Sequence, residues 1–360
     1  MEITDKRKNI IHNAKEFYNN LRKDDSIYII GSNKYGLSIV NFMINKGFNV
    51  KGFINDYKEN ELFDNYSVFK SGDLNSNDVI INCVVEGRTI DVKKHINTLK
   101  TKSFCDYFSL QLAFQNELIE IDFLDNTSNI LNRKAEYQQI YQLLYDEQSQ
   151  SEFSALTNFR LNRDINYLVN FKFRLSEQYF EDFFDISLVK SFVDGGSFDG
   201  ATTLDFLGKQ ELIDRIYIFE PNKSSFELIS SRFCEYQNIE IYNKGLWDSE
   251  TTLYFNSNLG SASKIEDSGV DKIETTKLDN VISDNIDFIK LDIEGAETRA
   301  IKGSERIIKA YKPILAVCVY HNQDDFIDIP KMILEFNPNY KIYLRHYTQG
   351  VFETVMYFIP

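Results

Sequence analysis

Apolar residues recur along this chain in short runs, each closed by a glycine or a small polar residue and followed by a stretch of helical spacing. Residues 1–24 place Ile3, Ile10, Ala14, Phe17 and Leu21 at helical intervals among charges and predict a helix. Residues 26–30 predict a buried strand ending at Gly31. A second helix runs through Leu37, Val40, Phe42 and Ile44 and is closed by Gly47. Further strands are predicted at 50–54 and 78–84. Strand–helix alternation favours a parallel sheet, so 1–112 is expected to be a small α/β domain. Residues 113–190 carry few turn signals and predict a helical connector or cap, with Ile140, Leu143 and Leu144 on one stripe. From 191 the alternation returns. Strands are predicted at 191–194, 216–219, 239–242, 286–291 and 313–319, with helices near 200–208, 223–233, 296–310 and 325–336. Strand patterns at 251–255 and 273–278 form an insertion, and 341–344 with 352–359 predict two closing strands. The third domain is thus expected over 191–360.

Composition narrows the class. The chain has 360 residues, more than one ordinary core requires, and 43% hydrophobic content to fill two. A net charge of −14 argues against nucleic acid as a partner, because phosphate neutralisation needs an excess of Lys and Arg. Cys83, Cys105, Cys234 and Cys318 are scattered without paired spacing, so neither a zinc site nor a disulfide framework is expected. The first residues are charged, and no run reaches the length of a membrane span. A soluble, cytoplasmic protein is the expectation, with a homo-oligomer left open.

The densest chemistry lies at Asp194, Gly195, Gly196, Ser197, Phe198, Asp199 and Gly200, with Thr202 just inside the next helix. Glycines at a strand–helix turn let a ligand approach the main chain, and the helix start offers unpaired N–H groups. Glu220, with Pro221 and Asn222, closes the next strand, where a carboxylate can accept both hydroxyls of a ribose. Asn243, Lys244 and Gly245 end the third strand. Asp292 and Glu294 leave the fourth, His321 the fifth and His346 the sixth. In open parallel sheets ligands gather outside these carboxyl ends.

Three of these stretches resemble the motifs of FkbM-type methyltransferases. The glycine loop from Asp194 to Gly200 is similar to their first S-adenosylmethionine motif, and Ile218, Phe219, Glu220 and Pro221 to their second. Lys290, Leu291, Asp292, Ile293, Glu294, Gly295, Ala296 and Glu297, followed by Lys302 and Gly303, resemble their most distinctive block. The resemblance covers roughly 160–360. It implies a Rossmann-like class I methyltransferase fold: a mostly parallel seven-stranded sheet with an antiparallel last strand. It also implies S-adenosylmethionine as cofactor and an acceptor oxygen, often on a sugar. The cofactor is then expected on Asp194, Gly195, Gly196, Ser197, Asp199, Gly200, Thr202, Glu220, Asn222, Lys244, Gly245 and Asp292. Gly260 to Ser263 is expected as a small-residue loop closing over it.

Methyl transfer from a sulfonium needs an aligned acceptor and, for a hydroxyl, a proton acceptor. His321 is the expected base by intrinsic pKa, with Asp292 orienting it or taking the proton itself. Arg160, Arg163, Glu294, Arg345 and His346 are the expected contacts to the small-molecule or glycan acceptor, with Arg174 a further cation. No bound metal is the primary expectation; oxygen ligands at Asp292, Glu294 and Asp324 beside His321 keep a divalent ion as the alternative. The N-terminal Rossmann-like half is read with a degraded fingerprint, because Asn33 stands where a glycine would admit a pyrophosphate. Asp56 is placed to meet a ribose, so a nucleotide-sugar there stands against a docking or dimerising role. The rival readings of the whole chain are an NAD(P)-dependent oxidoreductase and a non-catalytic cofactor-binding scaffold.

Overall fold

The computed structural model describes residues 1–57, 62–124, 128–255 and 271–360. The expected loop from Gly260 to Ser263 lies outside the described residues. The chain forms two compact units that interleave along the sequence. The first comprises Met1–Lys134, Phe153–Phe173 and Tyr347–Phe352; the second comprises Ala135–Glu152, Arg174–His346 and Glu353–Pro360. Residues 113–190, expected as a connector, are divided between the two.

The first unit is built on β1 (Ser26–Ile30), β2 (Asn49–Ile54), β3 (Leu62–Phe63), β4 (Tyr66–Phe69), β5 (Val79–Asn82) and β6 (Ser103–Asp106), in the order β3-β4-β2-β1-β5-β6. All pairs are parallel except β3 with β4. Ile27, Ile29, Ile80 and Ile81 are wholly buried, as expected of central strands covered on both faces. The shorter β4 and β6 are only half-buried and lack that apolar signature, which is why the sequence pattern passes over them.

The second unit carries β7 (Ser191–Gly195), β8 (Arg215–Phe219), β9 (Ile239–Tyr242), β13 (Phe288–Leu291), β14 (Ile314–Cys318), β15 (Lys341–His346) and β16 (Thr354–Ile359). Between β9 and β13 lie β10 (Gly245–Leu246), β11 (Thr252–Phe255) and β12 (Asp271–Thr276), a separate three-stranded sheet that realises the expected insertion. The large sheet has the order β15-β16-β14-β13-β7-β8-β9. β16 runs antiparallel to both neighbours, and the other pairs are parallel. This is the α/β architecture expected from the motifs. The chain leaves β7 toward β8 and β9 on one side and returns to β13 on the other, so the point where the strand order reverses lies at the carboxyl ends of β7 and β13.

One expected helix is two. Residues 296–310 divide into Glu297–Lys302 and Glu305–Tyr311, with Gly303 between them. A side chain at Gly303 would stand 2.0 Å from the Trp247 carbonyl oxygen, so the chain passes there only without a Cβ. Among the described residues, no helix is long and apolar enough to cross a membrane.

Candidate active site

The end of β7 is fixed by a buried polar knot. Asp194 has no exposed surface. Its Oδ2 accepts from Ser197 Oγ and Thr203 Oγ1, each at 2.8 Å, and its Oδ1 accepts from Lys290 Nζ at 3.0 Å. Lys290 also donates to the Gly196 carbonyl at 2.6 Å. Burial alone would lower the lysine's pKa, but the carboxylates of Asp194 and Asp292 outweigh it and hold it above the ordinary value. Gly196 has φ +76°, and a Cβ there would lie 1.8 Å from the Asp292 carbonyl oxygen. The loop therefore crosses β13 at a distance open to glycine alone. The side chains of Asp194 and Ser197, both expected at the cofactor, hold the loop in shape.

The loop next presents Phe198, at φ +54° and 75% exposed. A bulky residue in the left-handed region with its ring in solvent is unusual. Its N–H donates to Glu220 Oε2 at 2.8 Å, and Asn222 N–H donates to Glu220 Oε1 at 2.8 Å. Burial raises the Glu220 pKa, against these two backbone bonds that lower it. A carboxylate accepts about four hydrogen bonds, so both oxygens keep acceptor capacity for a diol. The loop after β7 and the carboxylate after β8 thus meet through one direct bond. Asn222 uses its side chain to cap the helix Lys223–Arg232. Asp199 caps the Ala201 N–H at 3.0 Å, Thr202 is half-buried in the first turn of the helix Ala201–Lys209, and Gly200 precedes that helix at φ +82°. Asn243 Nδ2 ties β9 to β8 through the carbonyls of Glu220 and Pro221. Lys244 faces Glu250 at 3.8 Å, and Gly245 pairs with Thr275 in the small sheet.

At the ends of β13 and β14 lies an acidic cluster. His321 Nε2 is 3.5 Å from both Asp292 Oδ1 and Glu294 Oε2, and its Nδ1 is 2.9 Å from Glu297 Oε1. The imidazole is fully enclosed. Burial alone would lower its pKa; Glu297, Asp292 and Glu294 outweigh burial and hold it up to about 10. With both nitrogens facing carboxylates, the ring is held in its protonated form in this setting. Tyr179 Oη donates to Asp292 Oδ2 at 2.8 Å, and Tyr320 Oη stands 3.5 Å from Oδ1. Burial raises the Asp292 pKa, but Lys290 and His321 overcome it and leave the group below its usual range. Glu294, in contrast, is pushed up to about 8, by burial first. Tyr179 and Glu297 went unremarked as site residues in the sequence; nothing in the local pattern signals Tyr179, which lies far along the chain from Asp292, while Glu297 was visible in the motif block.

Four expected acceptor contacts are engaged elsewhere. Arg160 and Arg163 belong to the first unit and are buried, donating to the carbonyls of Phe123 and Leu124 at 2.7 and 2.9 Å, with Arg163 also on Gln111. Arg345 is buried against Asp146 and Ser149. His346 is buried with Nδ1 at 2.8 Å from Thr354 Oγ1. In these bonds the buried side chains satisfy main-chain carbonyls, a paired carboxylate and a hydroxyl, and so tie the fold. Arg174 pairs with Glu177 and Glu181. Asp324 is not part of the cluster around His321; Asp325 is its buried neighbour, bonded to the Asn322 N–H at 3.0 Å. In the first unit, Asn33 caps the helix Lys34–Asn45, and Asp56 accepts from Ser71 N and Oγ at 2.7 and 2.8 Å.

Residues 194–344 match the model of the methyltransferase FkbM domain. The matched stretch is similar to FkbM methyltransferase domains. The FkbM span begins at the aspartate under the glycine loop and ends within β15. The whole chain is similar in fold to a methyltransferase FkbM from Methylobacillus flagellatus KT, with a TM-score of 0.73 and 21% identity over 98% of this chain and 99% of that one. A smaller likeness, TM-score 0.32 and 9% identity over 49% of this chain and 69% of the other, is to an Aeropyrum pernix fibrillarin with natively bound S-adenosyl-L-methionine. A putative methyltransferase from Streptococcus mutans in complex with S-adenosylhomocysteine matches at TM-score 0.31 and 10% identity over 48% and 92%. No curated protein matches the chain. The match supports a methyltransferase domain over residues 194–344.

Proposed function

We propose that the protein transfers a methyl group from S-adenosylmethionine to a hydroxyl oxygen, on a sugar of a glycan precursor or a glycoside. The observation that carries this is the junction of the FkbM glycine loop with Glu220, 2.8 Å from the Phe198 N–H, next to a strand end bearing Asp292. In this reading the ribose hydroxyls bond to Glu220, and the exposed Phe198 ring covers the cofactor. The main-chain N–H groups from Gly195 to Gly200 face its amino-acid end. Asp292, steadied by Tyr179, aligns the acceptor hydroxyl and takes its proton as the oxygen displaces the methyl in line, breaking the methyl–sulfur bond and leaving S-adenosylhomocysteine. An in-line transfer needs little covalent help from the protein, because the sulfonium is already activated. Glu294, half-exposed at the rim, contacts the acceptor. Calorimetry with S-adenosylhomocysteine, followed by transfer of labelled methyl from S-adenosylmethionine to a panel of glycosides, tests it. Binding of NADH in place of S-adenosylhomocysteine rejects it.

A further inference from the structure

Three acidic side chains converge on one imidazole here, more potential oxygen ligands than alignment of a hydroxyl calls for. The donor atoms Asp292 Oδ1 and Glu294 Oε2 each lie 3.5 Å from His321 Nε2. Adjacent donors on a six-coordinate ion of the magnesium or manganese class stand about 3 Å apart, and each of these two oxygens is within roughly half an ångström of that distance from Nε2. The other ring nitrogen faces Glu297 Oε1 at 2.9 Å. A carboxylate behind the distal nitrogen of a histidine is what fixes a metal-binding imidazole in its tautomer and direction. Asp292, Glu297 and His321 offer ligand atoms all within 4.8 Å of one another. Two more observations point the same way. Glu297 has no exposed surface, yet its Oε2 has no hydrogen-bond partner among the described residues. Glu294 sits at φ +55°, a strained conformation for a residue with a side chain, and that turn is what brings its carboxylate to the imidazole. Accessibility falls along a path, from Glu294 at 44% exposed through Asp292 at 22% to His321 at 0%, so an ion can enter from the rim.

We infer that Asp292, Glu294 and His321 Nε2 bind one divalent cation, which takes the place of the Nε2 proton and releases it to solvent, with Glu297 orienting the imidazole from behind. Its use rests on the methyltransferase reading above: a bound cation would supply Lewis acidity toward the acceptor hydroxyl. Binding itself does not depend on that reading.

The test uses the full chain, freed of metal with a chelator and desalted, and titrated with Mn²⁺ while the free-ion electron paramagnetic resonance signal is followed. One Mn²⁺ per chain, displaced by Mg²⁺, is expected. The half-exposed position makes Glu294→Gln a variant that folds; it should weaken binding by about tenfold or more, and Glu297→Gln by about ten- to a hundredfold. His321→Gln should abolish it. No uptake at millimolar Mn²⁺, or unchanged affinity in Glu294→Gln and His321→Gln together, overturns the site. S-adenosylhomocysteine binding is measured on the same samples with and without chelator. If the nucleoside binds and Mn²⁺ does not, the cation site alone fails; if Mn²⁺ binds and the nucleoside does not, the methyltransferase reading fails.

Discussion

Asp194 and Lys290 form a buried ion pair whose side chains are 0% and 3% exposed, and every oxygen of the carboxylate is engaged. Such a pair contributes little over an apolar substitute, but breaking it from one side strands a charge. Lys290→Met should therefore lower stability by about 3–5 kcal/mol in urea unfolding. Adding Asp194→Asn should restore most of that loss, because the stranded charge is gone; a purely additive double variant would contradict this account. Phe198 is the opposite case. Its ring is 75% exposed and contributes little packing, so Phe198→Ala should leave stability within about 0.5 kcal/mol. The same change should weaken S-adenosylhomocysteine binding by up to about tenfold in calorimetry, the size expected for a lost aromatic contact. Unchanged affinity would remove the ring from the cofactor site.

Elements are held by ties that the residue types alone do not announce. Arg345 on β15 donates to Asp146 Oδ2 at 2.6 Å, and Asp146 Oδ1 accepts the Ser149 N–H at 2.7 Å, so one carboxylate both starts the helix Glu147–Asn162 and pins the strand. Burial raises the Asp146 pKa, but Arg345 and Ser149 overcome it and leave it below the ordinary value. A carboxylate depressed in the folded state stabilises fully above its unfolded pKa, about 3.9, and loses that contribution as pH falls through the folded value. Asp146→Asn should lower the thermal midpoint at neutral pH and flatten its decline between about pH 5 and 3. A parallel acid limb in the two proteins would contradict the tie. The strands of the large sheet were legible because they are continuous apolar runs, and the glycine loop because Gly196 can be nothing else against Asp292. That Arg160, Arg163, Arg345 and His346 bond within the fold was not legible, for a physical reason. A cation's pattern is the same whether it meets a ligand or a buried carbonyl, and only the fold decides. Tyr179 was missed on the same ground, since its partner Asp292 comes from a different strand end.

At the scale of the molecule, the chain passes from one unit to the other five times, at 134/135, 152/153, 173/174, 346/347 and 352/353. A cut at any single point therefore leaves fragments of one unit attached to the other. Consider removal of residues 1–134. The segment Phe153–Phe173 stays behind, with Phe153, Leu156, Phe159, Leu161, Ile165 and Leu168 each no more than 3% exposed in the intact protein. Its polar side chains lose partners too: Asn158 Oδ1 accepts from Thr4 N at 3.1 Å, and Asn162 Nδ2 donates to the Thr4 carbonyl at 2.9 Å. Exposing those apolar side chains costs about 1.5–3 kcal/mol each, which together exceeds the net stability of an ordinary domain. A chain starting at residue 135 should consequently aggregate or be cleaved quickly within 153–173 under limited proteolysis. A chain starting at residue 191 avoids that segment but lacks Tyr179, so it should lose the hydrogen bond that steadies Asp292. If either shortened chain is monomeric, protease-resistant and binds S-adenosylhomocysteine as the full chain does, the interleaving carries no folding consequence and the methyltransferase half is independent.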